Sequence, residues 1–239
     1  MKRDKWRDIR AEIERDIMDG VMQPGVKLPT EPEMVATYGA GRHTVRRAVA
    51  ELAKDGFLSV EQGRGTFVQR HTLLEYTIGA RTRLRQNLGA QGVDVSGESL
   101  GIERTTASKR VAGHLKVDVG APVVATSRIT RADGVPVAFG TIYHNAARFP
   151  DFPERRQALG SVSAVYRSYG IEDYLRGSTQ IHARPARPKE AQQLRQHSEM
   201  PVIVVRAVDT LPDGAPIAFS QVIWSAARVK FTIPNTEED

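Results

Sequence analysis

Apolar residues recur every three or four positions through three stretches near the start of this chain, the spacing of a buried helical face. Trp6, Ile9, Ile13 and Ile17 mark the first, which closes at Gly20 ahead of the breaker Pro24-Gly25. Met34, Val35 and Tyr38 mark the second, opened by Thr30 with Glu33 three residues later, a capping box. Gly39-Ala40-Gly41 supplies a tight turn. Val45, Ala48, Val49 and Leu52 mark the third, which ends at Gly56, a residue suited to a left-handed cap. The period then changes. Phe57-Leu58-Ser59-Val60 and Thr66-Phe67-Val68 read as short strands around Glu61-Gln62-Gly63-Arg64-Gly65, a β-hairpin wing. Residues 1–70 are therefore expected to form three helices and a wing in helix-turn-helix order.

Further along, the pattern repeats itself. Asp133-Gly134-Val135-Pro136-Val137-Ala138-Phe139 recurs as Asp213-Gly214-Ala215-Pro216-Ile217-Ala218-Phe219. Each copy runs on to Ala-Ala-Arg, at Ala146-Ala147-Arg148 and at Ala226-Ala227-Arg228. Upstream, Ala112, Leu115 and Pro122-Val123 match Ala191, Leu194 and Pro201-Val202, with one residue of slippage before the hairpin. Each copy reads as a short helix, a strand, an Asp-Gly turn and a second strand. Two copies are too few for a solenoid. The expected class is α+β, with residues 71–76 as linker, 77–234 as one antiparallel-sheet domain of pseudo-two-fold symmetry, and 235–239 as an acidic tail.

The third helix carries the chemistry. His43, Arg46 and Arg47 point away from its apolar stripe, Arg42 stands at its start, and no acidic residue lies between Glu33 and Glu51. An Arg-rich face is most often a solvated surface. Here the capped preceding helix, the glycine turn and the wing accompany it in the order that a DNA-groove reader needs, and that favours DNA. Arginine can bond guanine O6 and N7 together, and Thr44 can reach phosphate or a thymine methyl. The formal net charge of +6 agrees with nucleic acid but does not establish it. Residues 1–70 hold 13 Lys and Arg against 11 Asp and Glu, so the basic excess is local to one face.

The absence of cysteine excludes disulfides, thiolate zinc sites and thiol catalysis. His43, His71, His114, His144, His182 and His197 are scattered, with no paired ligand spacing and no nucleophile signature. No metal, cofactor or catalytic residue is expected. No secretory leader opens the chain and no apolar run reaches membrane-spanning length, so a cytoplasmic protein is expected.

These motifs resemble the winged helix-turn-helix of the GntR family of bacterial transcription regulators. The likeness is carried by Pro24-Gly25, Leu28-Pro29-Thr30-Glu31, Arg42-His43-Thr44-Val45-Arg46, Leu52, Gly56 and Gly63-Arg64-Gly65-Thr66-Phe67-Val68. It implies that Arg42, Thr44 and Arg46 meet DNA, with Gln62, Gly63 and Arg64 reaching from the wing. His43 and Arg47 on the basic face and Thr30 at the preceding helix start complete the expected contact set. Two positions depart from the family pattern: Pro32 stands where Arg is usual, and Gly41 where Ser or Thr is usual. The resemblance then implies that contacts are lost there and that operator preference differs.

The repeat resembles the UTRA effector-binding domain of the histidine-utilisation-repressor branch, which has a chorismate-lyase-like fold. Glu75 through Leu88 and His144-Asn145-Ala146-Ala147-Arg148-Phe149-Pro150 look most like regulators of phosphonate metabolism. Arg81-Thr82-Arg83-Leu84-Arg85 can be read as a solvated face meeting DNA or an acidic neighbour. The resemblance instead implies an effector site of Thr82, Arg83, Arg128, Ser161 and Arg176, whose guanidinium groups suit phosphate or phosphonate. Sugar-phosphate-binding relatives carry acids at positions occupied here by Gly140 and Ala218. The expected function is a homodimeric repressor on a two-fold-symmetric operator, released by a small anionic effector. Alternative readings are a response to a sugar phosphate or urocanate, a ligand-independent DNA-binding protein, and a lyase-like enzyme.

Overall fold

The computed structural model describes residues 5–69, 73–196, 198 and 200–234. They divide into two compact units, one made of residues up to 73 with 186–192 and 196–200, the other of the remainder. His71, His197, part of the expected linker and the acidic tail lie outside the described residues.

In the first unit the three periodic stretches are helices α1 (Lys5–Met18), α2 (Glu31–Tyr38) and α3 (Arg42–Lys54). Ile9, Ile13, Met34, Val45, Ala48 and Leu52 pack into one core with Phe57, Leu58 and Val68. The Glu33 carboxylate accepts bonds from the Thr30 amide (2.6 Å) and hydroxyl (2.7 Å). Pro32 falls in the first turn of α2, where a backbone N–H has no helical partner to lose. Gly39 closes α2 at φ 53°, a left-handed cap that only glycine adopts cheaply. Arg10 is buried between two carboxylates, 3.0 Å from Glu14 and 2.8 Å from Asp55 at the end of α3. The wing is β1 (Leu58–Glu61) antiparallel to β2 (Gly65–Val68). Residues 25–28 run beside β2, with Val68 N donating to Val26 O (2.9 Å) and Leu28 N to Thr66 O (2.8 Å). The sequence marks this segment only as a breaker.

In the second unit, β4 (Val95–Thr106), α5 (Lys109–Leu115), β5 (Pro122–Ala132) and β6 (Val135–Asn145) form the first copy. After α6 (Phe152–Leu159) and α7 (Val162–Ser168), β7 (Leu175–Pro185), α8 (Pro188–Leu194), β8 (Pro201–Thr210) and β9 (Pro216–Ser225) repeat the order along the chain, with residues 188–192 of α8 counted in the first unit. The six strands lie in the order β4-β5-β6-β9-β8-β7, all antiparallel, so the two copies meet along β6 and β9. Asp133 and Gly134 both take positive φ (48° and 79°), as the tightest two-residue hairpin turn requires. The second hairpin closes between Leu211 and Ala215, one residue longer, which accounts for the slippage.

One expectation is corrected. Leu74 to Tyr76 are not linker but part of β3 (Leu74–Thr77), which pairs in parallel with β10 (Val229–Thr232). The segment α4 (Leu84–Gly89) follows β3, and Asn87 bonds both N and O of Thr77 through its side-chain amide. A parallel partner lies more than 150 residues away in sequence, so no local pattern announces it.

His144 is fully buried, stacked 3.7 Å from the Phe152 ring and 2.9 Å from the Tyr166 hydroxyl. Burial pushes its pKa down to about 3, so the folded protein keeps it neutral while an unfolded chain protonates it below about 6.5. Its contribution is complete above pH 6.5 and is lost as pH falls. Between pH 7 and 5 the loss from this residue should be about 2 kcal/mol. Urea melts across that range should show a shallower pH dependence in His144→Gln. Equal slopes in the two proteins would rule the assignment out.

Candidate nucleic-acid interface and effector cavity

At 3.6 residues per turn, the buried stripe of α3 leaves Arg42 and Arg46 on one flank and Arg47 on the other. Arg46 projects into a groove between α2, α3 and the wing that is also lined by Lys27, Thr30, Glu31, Gln62, Gly63 and Arg64. It remains 71% exposed while its Nε contacts the Glu31 carboxylate, which leaves the outer nitrogens directed away from that pair. Arg64 pairs with Glu61 across the wing turn and lies 5.7 Å from the Phe67 ring centre. Gly63, at φ 76°, makes that turn. Arg42 and His43 are exposed and Thr44 is half-buried. Arg47 turns the other way and lies 4.2 Å over the Trp6 ring. The nine expected DNA residues thus separate: five line the groove, three follow the start of α3, and Arg47 stacks on α1.

Gly41 precedes α3 with an ordinary φ of −65° and no side-chain cap, and a Cβ there would meet nothing within 4 Å. Gly41→Ser should therefore supply the missing cap and raise stability by a few tenths of a kcal/mol. A lower melting temperature in the variant would refute this.

The second unit encloses a cavity of about 500 Å³ over the inner face of the sheet. All five residues that the resemblance implied (Thr82, Arg83, Arg128, Ser161 and Arg176) line it. Their roles differ. The Thr82 hydroxyl is occupied by the Gly79 backbone, 2.7 Å away. Arg83 stacks 3.5 Å over Tyr174 and donates to its carbonyl (2.6 Å), bracing the wall. Ser161 caps α7 by accepting from Ala164 N (3.1 Å), which leaves its hydroxyl proton to donate. Arg128 donates to Gly97 O (2.5 Å). Arg176 faces Asp209 at 3.2 Å, and burial raises that carboxyl above the ordinary aspartate range.

Sequence reading missed Arg85 and Arg156. Arg156 is held down to about 10, by burial first and then by Arg128 and Arg85; Arg128 is lowered by burial and by Arg85. No ion pair joins any of these three to a carboxylate among the described residues. Local sequence could not single out Arg156. Its neighbour Arg155 meets Asp151 one turn back at 2.8 Å, whereas Arg156 has Phe152 there. In the 81–85 segment the acidic-neighbour reading holds for Arg81 and Arg83, which meet Asp173 at 2.8 and 3.6 Å, while Arg83 and Arg85 line the cavity.

The acid-replacing positions also need correction. Gly140 lines the cavity, but Ala218 is buried in a separate apolar cluster; the repeat counterpart of Gly140 is Ser220, which does line it. A Cβ on Gly140 would lie 2.5 Å from Gln221 O and 2.7 Å from Val222 Cα, so the close approach of β9 excludes any side chain there. Among the described residues no helix is long and apolar enough to cross a membrane, and no group of His, Asp and Glu could hold a metal ion.

Comparison with known proteins gives a family match for each part of the chain. Residues 5–68 match the family described as bacterial regulatory proteins, gntR family, and residues 90–230 match the UTRA domain. An uncharacterized HTH-type transcriptional regulator of Rhizobium meliloti (strain 1021) is 35% identical over 95% of this chain and 93% of its own length. The HTH-type transcriptional repressor PhnF of Mycolicibacterium smegmatis is 31% identical over 95% of this chain and 91% of its own. The crystal structure of PhnF from Mycobacterium smegmatis superposes with a TM-score of 0.65 at 29% identity, covering 96% of this chain and 100% of that one. A winged helix with a basic groove, followed by a duplicated sheet around a cationic cavity, makes this chain a transcription regulator, not an enzyme: it belongs to the GntR family and carries a UTRA domain.

Proposed function

We propose that the protein is a repressor of phosphonate uptake or metabolism genes whose hold on DNA is relieved by an anionic effector of phosphonate or phosphate type. The observation that carries this reading is the convergence of Arg85, Arg128 and Arg156 in one cavity without a pairing carboxylate. Like charges held together and partly desolvated are costly, and a phosphonate or phosphate group with three acceptor oxygens relieves that cost. Arg42, Arg46 and the wing residues Gln62 to Arg64 read the operator, in the domain that spans 1–70; the domain that begins at Leu74 senses the ligand. Two copies act as a homodimer on a two-fold-symmetric operator in the cytoplasm. The bare glycine at 140 argues against the amino-sugar phosphates, which remain the second reading along with urocanate.

Effector binding must differ in strength between DNA-bound and free protein, and linkage makes the effect reciprocal. Thermal melts with phosphonates and phosphate esters should show stabilisation. Operator DNA should then weaken the same ligand by the factor by which the ligand weakens DNA. Stabilisation by glucosamine phosphate or urocanate alone would reject the phosphonate reading, and an effector affinity indifferent to DNA would reject the switch.

A further inference from the structure

The cavity carries two separate sets of polar groups. Arg85, Arg128 and Arg156 act on one another, while Asp209 responds to Arg176 and Arg83. Arg128 is on β5 and Arg176 and Thr179 are on β7, four strands apart in the order β5-β6-β9-β8-β7. At roughly 4.8 Å per strand the two backbones stand about 19 Å apart along a flat sheet, a gap that side chains from both ends shorten.

Three buried polar atoms on the cavity lining have no hydrogen-bond partner: Arg156 Nη1 at the first set, and Thr179 Oγ1 and Trp224 Nε1 at the second. Buried polar groups in native proteins are almost always partnered, so three on one lining point to a molecule that bonds them together. The second set differs from the first in charge. Arg176 is matched by Asp209 at 3.2 Å and Arg83 by Asp173 at 3.6 Å, so this end offers N–H and O–H donors with little net charge. An uncharged oxygen suits it, and an ammonium group does not. At about 500 Å³ the cavity is of the size that holds drug-sized ligands, far larger than inorganic phosphate or methylphosphonate needs.

We propose that the effector is an elongated organic phosphate or phosphonate. Its anionic head lies among Arg85, Arg128 and Arg156, and an uncharged oxygen at the far end of its tail accepts from Thr179 and Trp224. This rests on the anionic-effector reading above and adds the length and the second polar end.

The test is calorimetric titration of the full chain with inorganic phosphate and three matched series: alkyl, ω-hydroxyalkyl and ω-aminoalkyl phosphates of increasing length. The hydroxyalkyl series should pass through an affinity maximum at intermediate length, about tenfold tighter there than the alkyl phosphate of equal length. Thr179→Val and Trp224→Phe should each move that ratio toward one, and Arg156→Gln should weaken both series together. Melts without ligand confirm that each variant folds. A ratio of one at every length, or tighter binding by the amino series, overturns the second polar end while leaving the anionic-effector reading intact. Binding by none of the phosphates overturns both.

Discussion

Arg10→Ala should unfold the winged-helix unit at much lower denaturant, with a loss of about 3–5 kcal/mol. Arg10 is 4% exposed, Glu14 fully buried and Asp55 5% exposed, and Arg10 bonds a carboxylate of each. Removing the cation takes away the guanidinium that both buried carboxylates share. That is worse than never having built the cluster, because truncating one member of a buried ion pair costs far more than the well-made pair contributes. Replacing all three residues by apolar ones of similar size should therefore recover most of the loss. Against a total stability of the usual 5–15 kcal/mol, that loss removes a large part of what keeps the winged helix folded. Urea melts followed by circular dichroism decide the matter. A loss under about 1 kcal/mol would mean that water reaches the cluster.

Arg46→Ala should lower operator affinity by about 1–3 kcal/mol per half-site while leaving the fold intact, and twice that where two copies bind one operator. The side chain is 71% exposed and its burial contributes little. Glu31 holds Nε, so the outer nitrogens are presented as an oriented fork. Lysine at this position should not restore discrimination, because a point charge cannot bond two acceptors in a plane. The variant also frees the Glu31 carboxylate beside the groove, which adds repulsion toward phosphate. Titrations on operator and on random DNA at matched salt separate the contributions. Equal losses on both would show that Arg46 holds phosphate only. Arg47→Ala provides the internal contrast: stacked on Trp6, it should cost less on operator than Arg46.

Most of the winged helix was legible because its signals are local. Apolar residues three and four apart, the Thr30–Glu33 box and glycines at turns act within a few residues of themselves, and the helices fall where those signals place them. The duplicated hairpins were legible for the same reason, since Asp133-Gly134 and Asp213-Gly214 each close a loop between neighbouring strands. Alternation within a strand does not reveal which strands meet across the copies. The β6–β9 seam, and with it the exclusion of a side chain at Gly140, emerged only in three dimensions.

The arginines divide along the same line. The basic face of α3, with the capped helix before it and the wing after it, identified a DNA-reading element, and set Arg46 and Arg47 on it together. Only packing showed that Arg46 enters the groove while Arg47 rests on Trp6. In the second unit the family resemblance led to Thr82, Arg83, Arg128, Ser161 and Arg176, yet Arg85 and Arg156 complete the cationic cluster from α4 and α6. What the sequence determined by itself was the order of helices, wing and duplicated hairpins, because those depend on interactions between near neighbours. Tertiary structure alone decided which charges converge, because the Arg10–Asp55 pair and the Arg85–Arg128–Arg156 cluster join positions tens of residues apart, and no local spacing encodes such distances.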